Sequence, residues 1–269
     1  MSVKRFCREE PILNSGGNSK KRWLKAELHA HCSLDPDDSR ICRYTPEQLI
    51  ARAATLGYGI LGITCHNLDI WTKGLAEYAG GLGITLIPGM EVTAEKTRHV
   101  LVYNFNTCPE DLNTLKKIRA RSGKDTLVIA PHAFFPERSC LRGLLPKNLD
   151  VFDAIEYSGF QVRGLNYNRR SVQLARETGK PLVGSGDIHF LWQLGRTYTW
   201  VYSEPDVQSV LSAIKRGFVR LEVSPLSWFE AAKWWATVTW RRAVPADPAP
   251  LNKIENGRGF GTAQQSVKP

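Results

Sequence analysis

Short apolar segments that alternate with helical patterns constrain the fold of this chain more than any other feature. Nine such segments, rich in Ile, Val and Leu, lie between residues 24 and 223, and several lack polar alternation. Strands buried on both faces of a sheet typically have this composition. Helical patterns fill five of the intervals, at 46–56, 71–80, 109–121, 166–178 and 206–216. Repeated strand-then-helix units favour an α/β fold with a parallel sheet, which we expect to close as a TIM-like barrel.

Composition divides the chain into four predicted segments. Residues 1–22 are polar and basic and are predicted to form a flexible arm, whereas residues 23–225 hold the strand–helix units. Residues 226–242 contain four of the eight tryptophans. Residues 243–269, rich in Pro, Gly and Gln, are predicted to be a disordered tail.

The tryptophan-rich segment 226–242 leaves alternatives open. As a helix its tryptophans spread around much of the wheel, whereas as a strand Trp234 and Trp240 share one side. We expect the segment to pack against the barrel or against a partner subunit. The alternative is a peripheral membrane anchor, in which Arg241 and Arg242 contact the lipid headgroups.

The basic charge of the chain lies mostly in its terminal segments. The formal net charge is +10, of which residues 1–25 contribute +5 and residues 228–269 contribute +3. The body between them is therefore nearly neutral, and a general nucleic-acid-binding surface on it is not predicted. With 42% hydrophobic and 23% charged residues, the composition excludes wholesale disorder.

Neither a membrane span nor an export signal is predicted from the sequence. No stretch approaches the roughly 20 apolar residues of a membrane-spanning helix, and the N-terminus lacks the apolar region of a secretory signal. The six cysteines are scattered, without a C-x-x-C pair. We therefore expect a cytoplasmic protein with reduced thiols, whose oligomeric state is left open.

The histidines are the most informative residues for function. Five of the six lie at or near the end of a predicted strand, and His99 opens one. Because the carboxyl ends of barrel strands meet at one rim, these side chains are expected to converge there. His29 and His31 are two apart on an extended segment, as are Asp187 and His189, so each pair can face one ion. Imidazole and carboxylate together suit Zn, Mn or Fe.

Six motifs, taken in order, resemble those of the polymerase and histidinol phosphatase (PHP) superfamily of metal-dependent phosphoesterases. The resemblance covers about residues 24–223. The motifs are Glu-Leu-His29-Ala-His31, Ile-Thr-Cys-His66-Asn, Pro-Gly-Met-Glu91-Val-Thr, His99-Val-Leu, Pro-His132-Ala and Ser-Gly-Asp187-Ile-His189. The resemblance implies a distorted seven-stranded (β/α) barrel with two or three divalent metal ions (Zn, Mn or Fe) at its rim.

The resemblance also implies a set of metal ligands. They are His29, His31, His66, His99, His132, His189, Glu91 and Asp187. A further ligand follows the His-x-His motif, and Asp37 matches its spacing best, with Asp38 as the alternative. Asp187, His189 and His66 are the candidate catalytic residues.

One departure from the family pattern concerns Cys65. The family usually has Thr-Asp-His where this chain has Thr64-Cys65-His66. If the missing Asp orients ligands, its loss retunes the centre, whereas if it transfers protons, activity on poor leaving groups is lost. Cys65 itself is interpreted as a buried inert thiol, with an extra soft ligand as the alternative.

The resulting hypothesis is hydrolysis of a phosphate mono- or diester by a metal-bridging hydroxide. Arg138, Arg142 and Arg196 are candidate substrate-binding residues, with Arg163 a further possibility, and Glu156 is expected to support a ligand or line the pocket. The expected substrate is a small phosphorylated metabolite or a nucleotide. The alternatives are a nuclease trimming nucleic-acid ends, a non-catalytic metal-stabilised scaffold and an amide hydrolase.

Overall fold

The computed structural model describes residues 21–244, and these form ten strands and seven α-helices. The strands are β1 (Arg22–Glu27), β2 (Tyr58–Gly62), β3 (Thr85–Ile87), β4 (Gly89–Ala94), β5 (Arg98–Tyr103), β6 (Leu127–Ala130), β7 (Ala154–Ser158), β8 (Leu182–Ser185), β9 (Tyr198–Ser203) and β10 (Val219–Glu222). The helices are α1 (Pro46–Thr55), α2 (Lys73–Gly81), α3 (Leu115–Arg121), α4 (Leu144–Lys147), α5 (Arg169–Thr178), α6 (Val207–Lys215) and α7 (Trp228–Ala243). The predicted arm and tail fall on residues 1–20 and 245–269, outside the described residues, apart from their innermost positions.

The described strands form two five-stranded sheets. The first has the order β10-β9-β1-β2-β3 and the second the order β4-β5-β6-β7-β8. Parallel pairs join β1 to β2, β2 to β3, β6 to β7 and β7 to β8. The mixed α/β class is therefore as predicted.

The prediction of a closed parallel barrel is not confirmed, because four of the strand pairs in the described sheets are antiparallel. These are β1 with β9, β9 with β10, β4 with β5, and β5 with β6. The cause is clearest between β4 and β5, where residues 95–97 form the whole connection. A parallel pair needs a crossover of a dozen or more residues, so this short turn enforces a hairpin.

Pro88 divides residues 85–93, which are one of the nine apolar segments predicted to be strands. It lies between β3, which pairs with β2, and β4, which pairs with β5 in the other sheet. Proline has no backbone N–H to donate to a strand ladder, so pairing stops there and the chain passes between sheets. An isolated bridge between His66 and Glu91 joins the sheets again just beyond this point.

A core of inward-facing side chains fixes the strand ends that carry the histidines. Leu28 and Ile60 from one sheet pack with Leu101 and Tyr103 from the other, and all four are fully buried. The Tyr103 hydroxyl donates a hydrogen bond to the carbonyl of Leu28. Because Leu28 directly precedes His29, packing of this core determines where that imidazole lies.

Two helix starts follow from local sequence. Thr45 caps α1 in a capping box with Gln48, and Pro46 takes the first helical position. Ser227 caps α7 in the same way, with Glu230 as its partner. The tryptophan-rich segment is therefore a helix rather than a strand. In residues 21–244 no helix combines the length and apolarity that crossing a bilayer requires.

Candidate metal centre

Six histidines and two carboxylates from both sheets meet in one cluster. His29 and His31 follow β1, and His66 follows β2. The other members lie on or after strands of the second sheet, and they are Glu91, His99, His132, Asp187 and His189. Neighbouring imidazole rings lie 4.6–5.7 Å apart between centroids. All six histidines singled out in the sequence are thus brought together.

The buried carboxylate of Glu91 lies at the middle of this cluster. Its Oε1 is 2.9 Å from His99 Nδ1 and 3.2 Å from His132 Nε2. Its Oε2 is 3.2 Å from Nε2 of both His29 and His66. Burial opposes ionisation of this carboxyl, yet the charges of His99, His29 and His66 hold its pKa well below the usual value. Glu91 is therefore an ionised acceptor shared among four imidazoles.

Asp187 provides the second central carboxylate. Its Oδ1 lies 3.3 Å from His31 Nε2 and 3.5 Å from both His29 Nε2 and His189 Nδ1. Burial opposes its ionisation, but His29 and His189 hold its pKa well below the usual value. Asp187 has a φ of +48° and His132 one of +26°, in a region that non-glycine residues rarely adopt. Such backbone strain concentrates at functional sites.

Outer partners orient the imidazoles toward these two carboxylates. Glu156 contacts His29 Nδ1 at 2.9 Å, Asp35 contacts His31 Nδ1 at 2.7 Å, and Cys140 contacts His132 Nδ1 at 3.3 Å. Each contact fixes one ring nitrogen, which leaves Nε2 facing the interior of the cluster. Histidines that bind metals in proteins are usually held by such a partner on the other nitrogen.

The arrangement of nitrogen and oxygen atoms fits divalent metal ions. Five groups of three residues each have potential ligand atoms within 4.8 Å of one another. The groups are His29–His31–Glu91, His29–His132–Asp187, His31–Asp187–His189, His31–Asp35–His66 and His66–Glu91–His99. His31 Nε2 is fully buried and, among the described residues, makes no hydrogen bond, although Asp187 Oδ1 lies 3.3 Å away. A bound cation would satisfy this atom, and the shared members suit a centre of more than one ion.

The three aspartates after the His-x-His motif lie in different surroundings. Asp37, the predicted ligand, is exposed and lines the cavity above the cluster. Asp38, the alternative, contacts His189 Nε2 at 2.9 Å. Asp35 is fully buried, and it contacts Nδ1 of His66 at 3.1 Å as well as His31. The assignment of Asp37 stays a prediction, and Asp35 and Asp38 are the aspartates that contact imidazoles.

Sequence reasoning missed the roles of Asp35 and Glu27. Burial opposes ionisation of Asp35, but hydrogen bonds to His31 and His66 lower the pKa of its carboxyl well below the usual range. Glu27 is fully buried, and it accepts hydrogen bonds from the backbone N–H of His29 and of Gly186. Burial raises the pKa of Glu27 to about 8. Acidic residues within four positions of His29 and His31, in otherwise apolar surroundings, are the signal that could have found both.

Cys65 lies behind the cluster and contacts another thiol. Its side chain is fully buried, and its Sγ lies 3.5 Å from Cys32 Sγ. The hydrogen bond with Cys32 and burial raise the pKa of the Cys65 thiol well above its usual value. A neutral, buried thiol packs as a small apolar group, which favours the inert interpretation over that of a soft metal ligand.

A cavity of about 370 Å³ opens above the cluster. Its floor includes His31, His66 and Glu91. Apolar walls come from Phe135, Phe160 and Trp234, and charged walls from Asp37, Glu137 and Arg242. Arg242 comes from α7, and its Nη2 lies 3.9 Å from Asp38 Oδ1. This position near the cluster could not be read from the sequence, because it depends on how α7 packs.

The predicted substrate-binding arginines lie outside the walls of this cavity. Arg196 forms an ion pair with Glu230 of α7. Arg138 and Arg142 are exposed, and the Nε of Arg142 donates a hydrogen bond to the Phe135 carbonyl at 3.1 Å. Nothing in their surroundings tests a contact with substrate, so these three assignments stay predictions.

Three solved structures resemble this chain, all at low sequence identity. PsfC from Pseudomonas syringae PB-5123 has a TM-score of 0.57 and 16% identity, covering 82% of this chain and 99% of that chain. A Bifidobacterium adolescentis ATCC 15703 protein named as a metal-dependent phosphoesterase has a TM-score of 0.48 and 17% identity. The match covers 61% of this chain and 87% of that chain. An amidohydrolase from Chromobacterium violaceum has a TM-score of 0.44 and 13% identity. The match covers 78% of this chain and 96% of that chain. The likeness to PsfC concerns the fold alone.

The sequence comparisons bear on the family. No curated protein matches the chain. A family model described as PHP-associated matches residues 166–219, which include Asp187 and His189. This match falls on the last of the motifs that indicated the resemblance. Together with the preceding motifs, it supports the resemblance to the PHP superfamily.

Proposed function

We propose that this protein is a metal-dependent hydrolase that cleaves a small phosphate ester. The observation that carries the proposal is the convergence of imidazole nitrogens on two carboxylates at the floor of a cavity, that of Glu91, which is buried, and that of Asp187, which is partly exposed. Two anionic carboxylates surrounded by imidazoles form a favourable site for divalent cations.

The residues proposed to hold the ions are those with a ring nitrogen or carboxylate oxygen facing the interior. They are His29, His31, His66, Glu91, His99, His132, Asp187 and His189. Bound divalent ions would supply Lewis-acid stabilisation of the phosphoryl charge and lower the pKa of a coordinated water. Nitrogen and oxygen donors suit Zn, Mn or Fe.

The outer residues of the cluster hold protons at defined atoms. Glu156 accepts a hydrogen bond from His29 Nδ1–H, and Asp35 accepts one from His31 Nδ1–H, so Nε2 of each ring keeps its lone pair. His189 is oriented through both ring nitrogens, because Nε2 lies 2.9 Å from Asp38 and Nδ1 lies 3.0 Å from the backbone carbonyl of Asp187, which can only accept. These three carboxylates are therefore proposed to be positioning residues rather than catalytic ones.

The cavity favours a small substrate over a nucleic-acid strand. Its walls combine aromatic side chains with both signs of charge, whereas a strand-binding groove carries cations along the phosphate backbone. About 370 Å³ is enough for a small phosphorylated metabolite or a nucleotide. Arg242 is proposed to contact the phosphoryl oxygens, since its guanidinium lies in the wall and suits bidentate recognition.

Hydrolysis of p-nitrophenyl phosphate, its bis ester and a p-nitroanilide amide tests the proposal. The protein is stripped with a chelator and assayed with Mn or Zn restored, beside Glu91→Gln and the exposed control Glu77→Gln. We expect metal-dependent ester cleavage that Glu77→Gln retains and Glu91→Gln loses by at least about 100-fold, because the second variant removes the shared central charge. Bound metal without turnover of any ester would contradict the proposal and favour the scaffold alternative.

A further inference from the structure

Helix α7 carries a row of large aromatic side chains that face away from the protein. Trp228 is 63% exposed, Phe229 78%, Trp235 52% and Trp240 56%. The packed side of the same helix is formed by Ala231 and Val238, which are buried, and by Trp234, which contacts Phe160 and Phe190. Trp235 also lies 6.2 Å from the Phe160 ring and Trp240 5.4 Å from the Arg43 guanidinium, yet each keeps more than half of its surface exposed.

The outward face is continuous and uncharged along the described length of α7. At 100° per residue, eight positions fall within one arc of about 140°. They are Trp228, Phe229, Ala232, Trp235, Ala236, Thr239, Trp240 and Ala243, and all eight are exposed. A surface helix normally turns polar residues to solvent. An apolar stripe here therefore indicates a surface that binds another molecule or a membrane.

Positive charge borders this face on both sides. Lys233 lies at one edge of the arc and Arg242 at the other, and both are exposed. The guanidinium of Arg43 lies 5.4 Å from the Trp240 ring centroid. The acidic residue of the helix, Glu230, is turned away and bound to Arg196. The occupant of the face is therefore apolar at its centre and anionic at its border.

This combination disfavours a second copy of the chain as the occupant. Two such faces packed together would bring the basic borders of one copy next to those of the other. An anionic lipid surface complements both properties, because Trp and Phe enter the boundary between headgroups and acyl chains while Lys and Arg contact lipid phosphates.

We propose that the outward face of α7 docks the protein on the surface of an anionic membrane, with the helix lying in the plane of the interface. The helix does not cross the bilayer. Because Arg242 belongs both to the border of the face and to the cavity wall, docking brings the cavity close to the lipid headgroups. The docking is independent of the reaction proposed for the metal centre.

Vesicle co-sedimentation with the full chain tests this proposal. The vesicles contain phosphatidylcholine alone or with about 30 mol% phosphatidylglycerol. We expect binding to the anionic vesicles that weakens with added salt and is accompanied by a blue shift of tryptophan emission. The variant Trp228→Ser/Phe229→Ser/Trp240→Ser should bind more than tenfold less tightly, and Lys233→Glu should bind several-fold less tightly.

The control variant is Tyr78→Ser/Leu82→Ser, which removes exposed apolar side chains from the region of α2 and should bind like the unmodified protein. Far-UV circular dichroism and bound-metal content establish that each variant is folded. Anionic-vesicle binding that survives the triple substitution would overturn the proposal, since another segment would then be responsible. Failure to bind any vesicle, or dimerisation in light scattering that the triple substitution abolishes, would also overturn it.

Discussion

Glu156→Gln is the substitution that tests most closely how the outer residues support the metal centre. Glu156 is fully buried and accepts hydrogen bonds from His29 Nδ1, the Ser185 hydroxyl and the backbone N–H of His132. Glutamine keeps the shape, but it offers one acceptor oxygen and replaces the other with an NH₂ group. At least one of the three donors then faces another donor, and an unsatisfied buried group of this kind costs about 1–3 kcal/mol.

The metal-linked part of this effect can be separated from the general loss of stability. Substituting an outer partner of a metal-binding histidine typically lowers metal affinity 10–100-fold. At a fixed excess of metal, that loss reduces the stabilisation by metal by about 1.4–2.7 kcal/mol. For a folded unit of this size, the increase in Tm on adding metal should then shrink by several degrees.

Thermal melts of chelator-stripped and Mn-loaded protein measure the increase in Tm that metal binding produces. Glu177→Gln is the matched control, because it makes the same chemical change on the exposed side of α5, where Glu177 accepts a hydrogen bond from Gln173. The control should keep the full metal-induced increase in Tm. If Glu156→Gln lowered the two melting temperatures equally, it would not act on metal binding, and the positioning role of Glu156 would be refuted.

Three further predictions concern single residues. Arg242→Ala should raise KM for the phosphate ester about tenfold or more with little change in the amount of bound metal, and an unchanged KM would exclude phosphoryl contact by this arginine. In the metal-free protein, burial lowers the pKa of His189, but the charges of Asp187 and Asp38 outweigh burial and raise this pKa from 6.5 to about 9. Its contribution to stability should therefore be complete below pH 6.5 and lost as the pH rises through 9, and a series of melts that showed no such loss would contradict this. Cys65→Ser should leave metal affinity within about threefold, whereas a loss of tenfold or more would make Cys65 a ligand.

The identity of the cluster was largely predictable, because it depends on local sequence. Each histidine lies beside a short apolar strand, and strands of one sheet bring such positions to a common edge whatever the details of the connections. Two-residue spacing in His29-Ala-His31 then aims both rings at the same side. These relations hold for parallel and mixed sheets alike, so the error about a closed parallel barrel did not displace the site.

Three other features of the fold and the site could not be predicted, because they depend on packing and not on the spacing of residues in the sequence. Pro88 reads as part of an apolar run, and only strand pairing shows that the chain changes sheets there. Among Asp35, Asp37 and Asp38, family spacing favours Asp37, whereas burial and imidazole contacts select the other two. Arg242 lies 53 residues beyond His189, and its place in the cavity wall follows from the docking of α7 rather than from any motif.

Anomalous diffraction from crystals soaked with Mn would show whether the cluster binds metal ions. We expect two or more peaks within the cluster, each about 2.0–2.3 Å from imidazole nitrogens or carboxylate oxygens. Glu91 and Asp187 should be ligands, with His29 and His31 turned toward the same peaks. Peaks confined to surface carboxylates, with Glu91 still bound only to imidazoles, would contradict the assignment of this cluster as a metal centre.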